Sequence, residues 1–138
     1  MRTVLLCHTT REGRHFDWLI EAMPTCGLHA PFATPVSESP APGLIWTART
    51  SLASRDWANA GVFHLTVIQP HRPLYLTYQG KVANNRGTVM RADEGTARVA
   101  LCSASRVVLD IAMREFAGRV QLTRLWGVRW RGQVLPAG

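Results

Sequence analysis

From Gly61 to the end, the chain is a succession of short β-favouring runs separated by turn residues, and this pattern limits the fold more than any other feature. The runs are Val62 to Ile68, Leu74 to Tyr78, Thr88 to Ala92, Thr96 to Leu101, Val107 to Ala112, Arg119 to Leu125 and Val128 to Val134. Between them, Asn84-Asn85-Arg86-Gly87 and Asp93-Glu94-Gly95 carry residues that tolerate positive φ, as tight antiparallel connections require. Sequential hairpins of this number remove their exposed edges by curling up. The expectation is an all-β protein, a small closed antiparallel β-barrel with at most one or two short helices.

The N-terminal part begins with the same logic. Val4 to Cys7 favours strand, Thr9 to Arg14 reads as a hairpin loop, and His15 opens a second strand. In that strand Phe16, Trp18 and Ile20 alternate with His15, Asp17, Leu19 and Glu21, giving one apolar and one largely polar face. Residues Ala22 to Gly43 hold five prolines and little periodicity, so they are expected to form a long loop. Leu44 to Arg49 resumes as strand, and Ser51 to Ala60 suits one short helix with Ser51 near its cap. At 138 residues the length suits a single domain, residues 1 to 138, with a core that needs no staple.

Formal net charge is +7, and every basic residue except Lys81 is an arginine, the side chain whose planar fork grips phosphate oxygens in pairs. A polyanionic partner fits this charge, as does a simple coding and solubility bias. Cys7, Cys26 and Cys102 are odd in number and widely spaced, which indicates neither a disulfide framework nor a zinc knuckle. Only four apolar residues separate Thr3 from His8, too few for a signal-peptide core, and no later run could span a bilayer. A cytoplasmic protein with no membrane association is expected.

If the first hairpin pairs across the six residues between them, His8 and His15 become cross-strand neighbours on one face, roughly 4.5 to 5.5 Å apart at Cβ. Asp17 follows on the same face, while Phe16, Trp18 and Ile20 anchor the other face in the core. Two imidazoles and a carboxylate with open coordination positions suit Mn²⁺, with Zn²⁺ as the alternative. Spacing alone equally describes a solvated strand edge. A second cluster is His71-Arg72-Pro73-Leu74-Tyr75, where Pro70 and Pro73 stiffen the backbone around an imidazole able to serve as phosphate donor or general acid. Tyr75 could add a hydroxyl or simply begin a strand. His29, in the proline-rich stretch, and His64, in mid-strand, are read as ordinary residues. No phosphate-cradling Gly-rich loop, nucleotide fingerprint or Gly-x-Ser-x-Gly elbow is present, which sets those enzyme classes aside.

Taken in order, His8-x6-His15-Phe16-Asp17, Trp46, His71-x-Pro73-Leu74-Tyr75-x-x-Tyr78-Gln79-Gly80, Gly87-Thr88-Val89 and Gly95-Thr96 resemble the 3′-phosphoesterase domain of bacterial DNA ligase D. The likeness runs from His8 to Thr96, interrupted at residues 22 to 43, and fades to Gly118-Arg119-x-x-Leu122. The resemblance implies a small closed barrel that trims DNA or RNA 3′ ends with Mn²⁺ before joining. It implies that His8, His15 and Asp17 hold the metal, with His15 also catalytic, and that His71 and Tyr75 engage the phosphate and take part in catalysis.

Two departures accompany the likeness. Leu19 stands where the family carries a phosphate-contacting Arg, and the strand period aims residue 19 the same way as His15 and Asp17. The loop between the histidines is about one residue longer and carries Arg11 and Arg14, either of which could reach the phosphate instead; Arg49 is placed suggestively for the family's further phosphate-binding basic residue after the strand tryptophan. Read as a stand-alone homologue, the chain would depend on a ligase or end-joining partner acting in trans. The expected function is a metal-dependent phosphoesterase of nucleic-acid 3′ ends in DNA end repair. The alternatives are a non-catalytic end-binding module with a degraded site, or a protein-interaction β-barrel.

Overall fold

The computed structural model describes residues 1–23, 45–103 and 105–136. Strands β1 (Arg2–Thr10) and β2 (Gly13–Ile20) form the first hairpin, followed by β3 (Ile45–Thr50) and β4 (Val62–His71). Then come the two-residue β5 (Gly80–Lys81) and the long β6 (Thr88–Cys102). The chain closes with β7 (Arg106–Met113), β8 (Ala117–Trp126) and β9 (Arg129–Leu135). The sheet runs β1-β2-β3-β4-β9-β8-β7-β6, and β6 pairs back onto β1, so eight antiparallel strands close into a barrel with β5 attached to β6. Closure follows from the alternation read in the sequence: the inward positions are mostly apolar, and a closed ring leaves no edge to be capped.

The interior holds Phe16, Trp18 and Ile20 of β2, as their period of two demands, with Phe63 and Leu65 of β4 and Trp130 of β9. Trp57 plugs this core from α1 (Trp57–Ala60), stacking on Phe63 at 4.4 Å between ring centroids and meeting Trp18 at 4.9 Å. Its indole N–H donates to the Leu52 carbonyl at 3.0 Å, so the plug satisfies its one polar atom. A smaller cluster on the outer side of β1 and β2 joins Val4, Leu6 and Leu19 to Ile45, Leu76 and Val89.

Several local expectations are corrected. The first hairpin turns on Arg11 and Glu12 alone, with Thr10 paired to Gly13, so the strands extend into the stretch expected as loop. Residues 74 to 78 are not a strand: Pro73 opens a 3₁₀ turn over Pro73–Leu76, because its ring presets φ and its missing N–H is unneeded at that position. The short helix is preceded by a 3₁₀ turn over Ser54–Asp56, and Ser51 caps neither; Ala53 takes the N-cap position of the turn and Asp56 that of the helix. Most of the proline-rich stretch expected as a loop, and His29 with it, lies outside the described residues. Cys102 is disulfide-bonded and Cys7 is a free thiol, so one cysteine that sequence spacing left unbridged is bridged. Among the described residues no helix is long and apolar enough to cross a membrane.

Asp93-Glu94-Gly95 does not turn the chain either. It lies inside β6, beside an irregularity where β1 shifts register between Leu5 and Leu6. Asp93 is buried and accepts bonds from the Ser54 hydroxyl (2.6 Å) and the backbone N–H groups of Glu94 (2.8 Å), Arg114 (2.9 Å) and Glu115 (3.1 Å). It thereby holds the β7–β8 turn against β6. Gly95 is required because a Cβ there would lie 1.9 Å from the Ala112 carbonyl oxygen. Asp93→Ala would remove the acceptor of the buried Ser54 hydroxyl and of the part-buried Glu94 and Glu115 N–H groups, each unmet donor worth about 1–3 kcal/mol. Urea unfolding is expected to show a loss of about 3–5 kcal/mol; a loss within experimental scatter would mean water replaces the carboxylate.

Candidate metal centre

The hairpin register determines the site. His8 lies opposite His15, and Leu6 opposite Asp17, so all four share the outer face of the barrel wall. The two imidazole rings meet edge to face, 4.8 Å between centroids. Asp17 is 1% exposed, yet its Oδ1 has no hydrogen-bond partner, and the same is true of the buried His8 Nδ1 and His15 Nε2. These orphaned atoms face one another: His15 Nε2 is 3.3 Å from Oδ1, and His8 Nδ1 is 3.5 Å from Oδ2. Across His8, His15 and Asp17 one ligand atom from each lies within 4.8 Å of the others.

The backbone assigns the tautomers. His8 Nε2 is 2.5 Å from the Arg86 carbonyl, which can only accept, so the ring proton sits on Nε2 and Nδ1 presents a bare lone pair to Asp17. His71 is oriented through its other nitrogen: Nδ1 lies 3.2 Å from the Gln69 carbonyl, and Nε2 is turned to Asp17 Oδ2 at 3.6 Å. The His8 lone pair aimed at a buried carboxylate repels it unless a cation or an added proton lies between. Carbonyl-anchored imidazoles are how metal-ligating histidines are oriented.

Electrostatics points the same way. Burial pushes the pKa of His15 down, against the pull of Asp17. Burial would raise the Asp17 pKa, but His71, His15 and Arg49 together outweigh it and hold the carboxyl below the usual carboxylate range. Two neutral imidazoles and one carboxylate fit a divalent cation of intermediate softness.

The remaining candidates divide by strand face. Arg49 pairs opposite Asp17, with Nε 3.7 Å from Oδ1 and a half-exposed side chain. Tyr75 stands 5.3 Å from His71 between ring centroids, and Tyr75 in turn meets Tyr78 at 5.7 Å. Arg14 lies on the opposite face and lines a separate pocket with Cys7, Phe16 and Arg55, so it is not brought to Asp17. Arg11 sits in the exposed two-residue turn. Leu19 does share the face of Asp17, but it is fully buried beneath Leu76 in the outer apolar cluster. Sequence reasoning missed Thr47, whose hydroxyl accepts the His71 backbone N–H at 3.2 Å, and the Arg86 carbonyl that orients His8. The Asn84-Asn85-Arg86-Gly87 turn signal marked that backbone without showing what it would touch; Asn84 and Asn85 do adopt positive φ.

Fold and site together define a closed eight-stranded β-barrel with a candidate metal-binding triad on its outer wall. No protein-family model matches the sequence, and no curated protein matches it.

Proposed function

We propose that this protein is a metal-dependent phosphoesterase acting on nucleic-acid 3′ ends, removing a 3′-phosphate or a 3′-ribonucleotide during DNA end repair. One observation carries the reading: His8 and His71 each turn one ring nitrogen to a backbone carbonyl and the other to a buried Asp17 that also faces His15 and Arg49. The choice of a 3′ end follows the ordered resemblance from His8 to Gly80, and the +7 charge suits a polyanion. Mn²⁺, or Zn²⁺, held by His8, His15 and Asp17 would polarise a phosphoryl oxygen and activate water. Arg49 meets the phosphate oxygens with its exposed fork, and His71 stabilises developing charge or protonates the leaving oxygen. Tyr75, packed on His71, orients that ring. A ligase or end-joining partner in trans would use the trimmed end.

A duplex primer-template ending in a 3′-phosphate tests this. Phosphate release is expected with Mn²⁺, none with chelator, and a roughly 10²- to 10³-fold slower rate in Arg49→Ala, the loss typical of one removed charge-stabilising donor. The second reading, a non-catalytic end-binding module, is favoured by Leu19, an apolar side chain where the resembled family places a cation. Metal-loaded protein that binds the duplex without turnover would select it.

A further inference from the structure

We infer that the outer face running from Asp17 across β3, β4, β9 and β8 is a binding track for single-stranded nucleic acid, with Trp126 as a base-stacking platform. The register places Asp17 opposite Arg49, Arg49 opposite Thr66, Thr66 opposite Arg129 and Arg129 opposite Trp126, one continuous row on one face. At roughly 4.8 Å per strand step, the row spans on the order of 19 Å. The four strands β3, β4, β8 and β9 contain no Asp or Glu at all, and they contain Arg49, Arg119, Arg124, Arg129 and Arg131. Of these, Arg129 and Arg131 lie on the outer face and have no acidic partner among the described residues, whereas Arg119 is bound to Asp110 and Arg124 pairs opposite the buried Trp130, on the other face. Within the row Arg49 and Arg129 are the cations and Asp17, at its start, is the one carboxylate; Arg131 follows Arg129 by two residues on the same face, so beyond Asp17 the face carries positive charge that a polyanion complements.

Trp126 is the feature that makes the anion a nucleic acid. Trp18, Trp46, Trp57 and Trp130 are all buried, but Trp126 is 66% exposed at the β8–β9 turn, with Leu125 and Val128 exposed beside it. The Arg129 guanidinium carbon lies 5.2 Å from its ring centroid, which holds the indole in place and leaves a face for a base. A fixed exposed aromatic beside backbone-tracking cations is how single strands are gripped without sequence preference. The proposed function supplies the direction of the strand, its 3′ end at Asp17; the track itself stands on Trp126 and the carboxylate-free strands.

The test uses the whole protein in chelator, so that metal binding plays no part. Fluorescence anisotropy of a labelled single-stranded oligonucleotide of roughly ten nucleotides is expected to show binding that weakens steeply with salt. Trp126→Ala should weaken it roughly 5- to 100-fold, Trp126→Phe much less, and the double variant Arg129→Ala/Arg131→Ala should also flatten the salt slope. Base stacking should quench the fluorescence of the one exposed tryptophan, a signal that Trp126→Phe removes. The inference is overturned if wild type does not bind, if Trp126→Ala binds as well as wild type, or if a blunt duplex competes equally and Trp126 stays unquenched. A track that passes while 3′-phosphate release fails would reject the phosphoesterase alone; release that survives Trp126→Ala with unchanged oligonucleotide affinity would reject the track alone.

Discussion

Asp17→Ala is expected to abolish stoichiometric Mn²⁺ or Zn²⁺ binding, the largest functional effect of any single change in this molecule. The carboxylate is the one anionic group in the triad, and the His8 and His15 nitrogens both turn toward it. Removing a mere orienting partner of a metal ligand costs about 10- to 100-fold in affinity, so loss of a ligand should exceed that. Calorimetric titration measures it directly, and His8→Ala and His15→Ala should each weaken binding in the same experiment. Thermal unfolding gives an independent reading. Metal at about 100 times its Kd should stabilise the wild type by about 2.7 kcal/mol, a shift on the order of 10 °C for a domain of this size, and leave Asp17→Ala unmoved. Equal affinity in wild type and all three variants would remove the metal centre from the hairpin.

Leu19→Arg is expected to destabilise the fold by about 3–5 kcal/mol and to restore no activity. The strand period does aim residue 19 at the face that bears His15 and Asp17, which by itself suggests that an arginine there would supply the cation the resembled family uses. The side chain has no solvent, however: Leu19 is 0% exposed and packs with Val4, Leu6, Ile45 and Val89 under Leu76. A guanidinium there either displaces the segment carrying Leu76 or buries a charge without a partner. Because Tyr75 belongs to the covering segment and packs on His71 at the end of β4, displacing it would also disturb the site. Urea denaturation checks the stability, and a stable, faster Leu19→Arg enzyme would show that the segment after His71 yields easily. Arg49 is the cation that the fold brings to Asp17 in its place.

The hairpin shows why part of this was legible. Cross-strand register depends on a period of two and a tight turn, both local, so the pairing of His8 with His15 and the burial of Phe16, Trp18 and Ile20 could be read directly. The strand expected at residues 74 to 78 shows the opposite case. An apolar, aromatic run preceded by proline is consistent with either a strand or a covering turn, and only a place on the outer apolar cluster, against Leu19, separates them. Asp93 and Gly95 mislead for a similar reason. Their chemistry, a carboxylate able to meet several N–H groups and a residue without Cβ, serves a bulge packed on another hairpin as well as it serves a turn.

By itself the sequence determined an all-β chain of successive hairpins, a buried aromatic face on β2 and two histidines and an aspartate on its other face, because alternation and turn chemistry act between near neighbours. Only the tertiary structure decided that β6 closes onto β1, that the segment after His71 folds over the outer wall, and that Arg49 rather than Arg14 meets Asp17. It also decided that Thr66, Arg129 and Trp126 continue the row begun by Asp17 and Arg49. Each of these depends on which strands lie side by side across long stretches of chain. That order is set by the collective burial of the barrel interior, which no local pattern records.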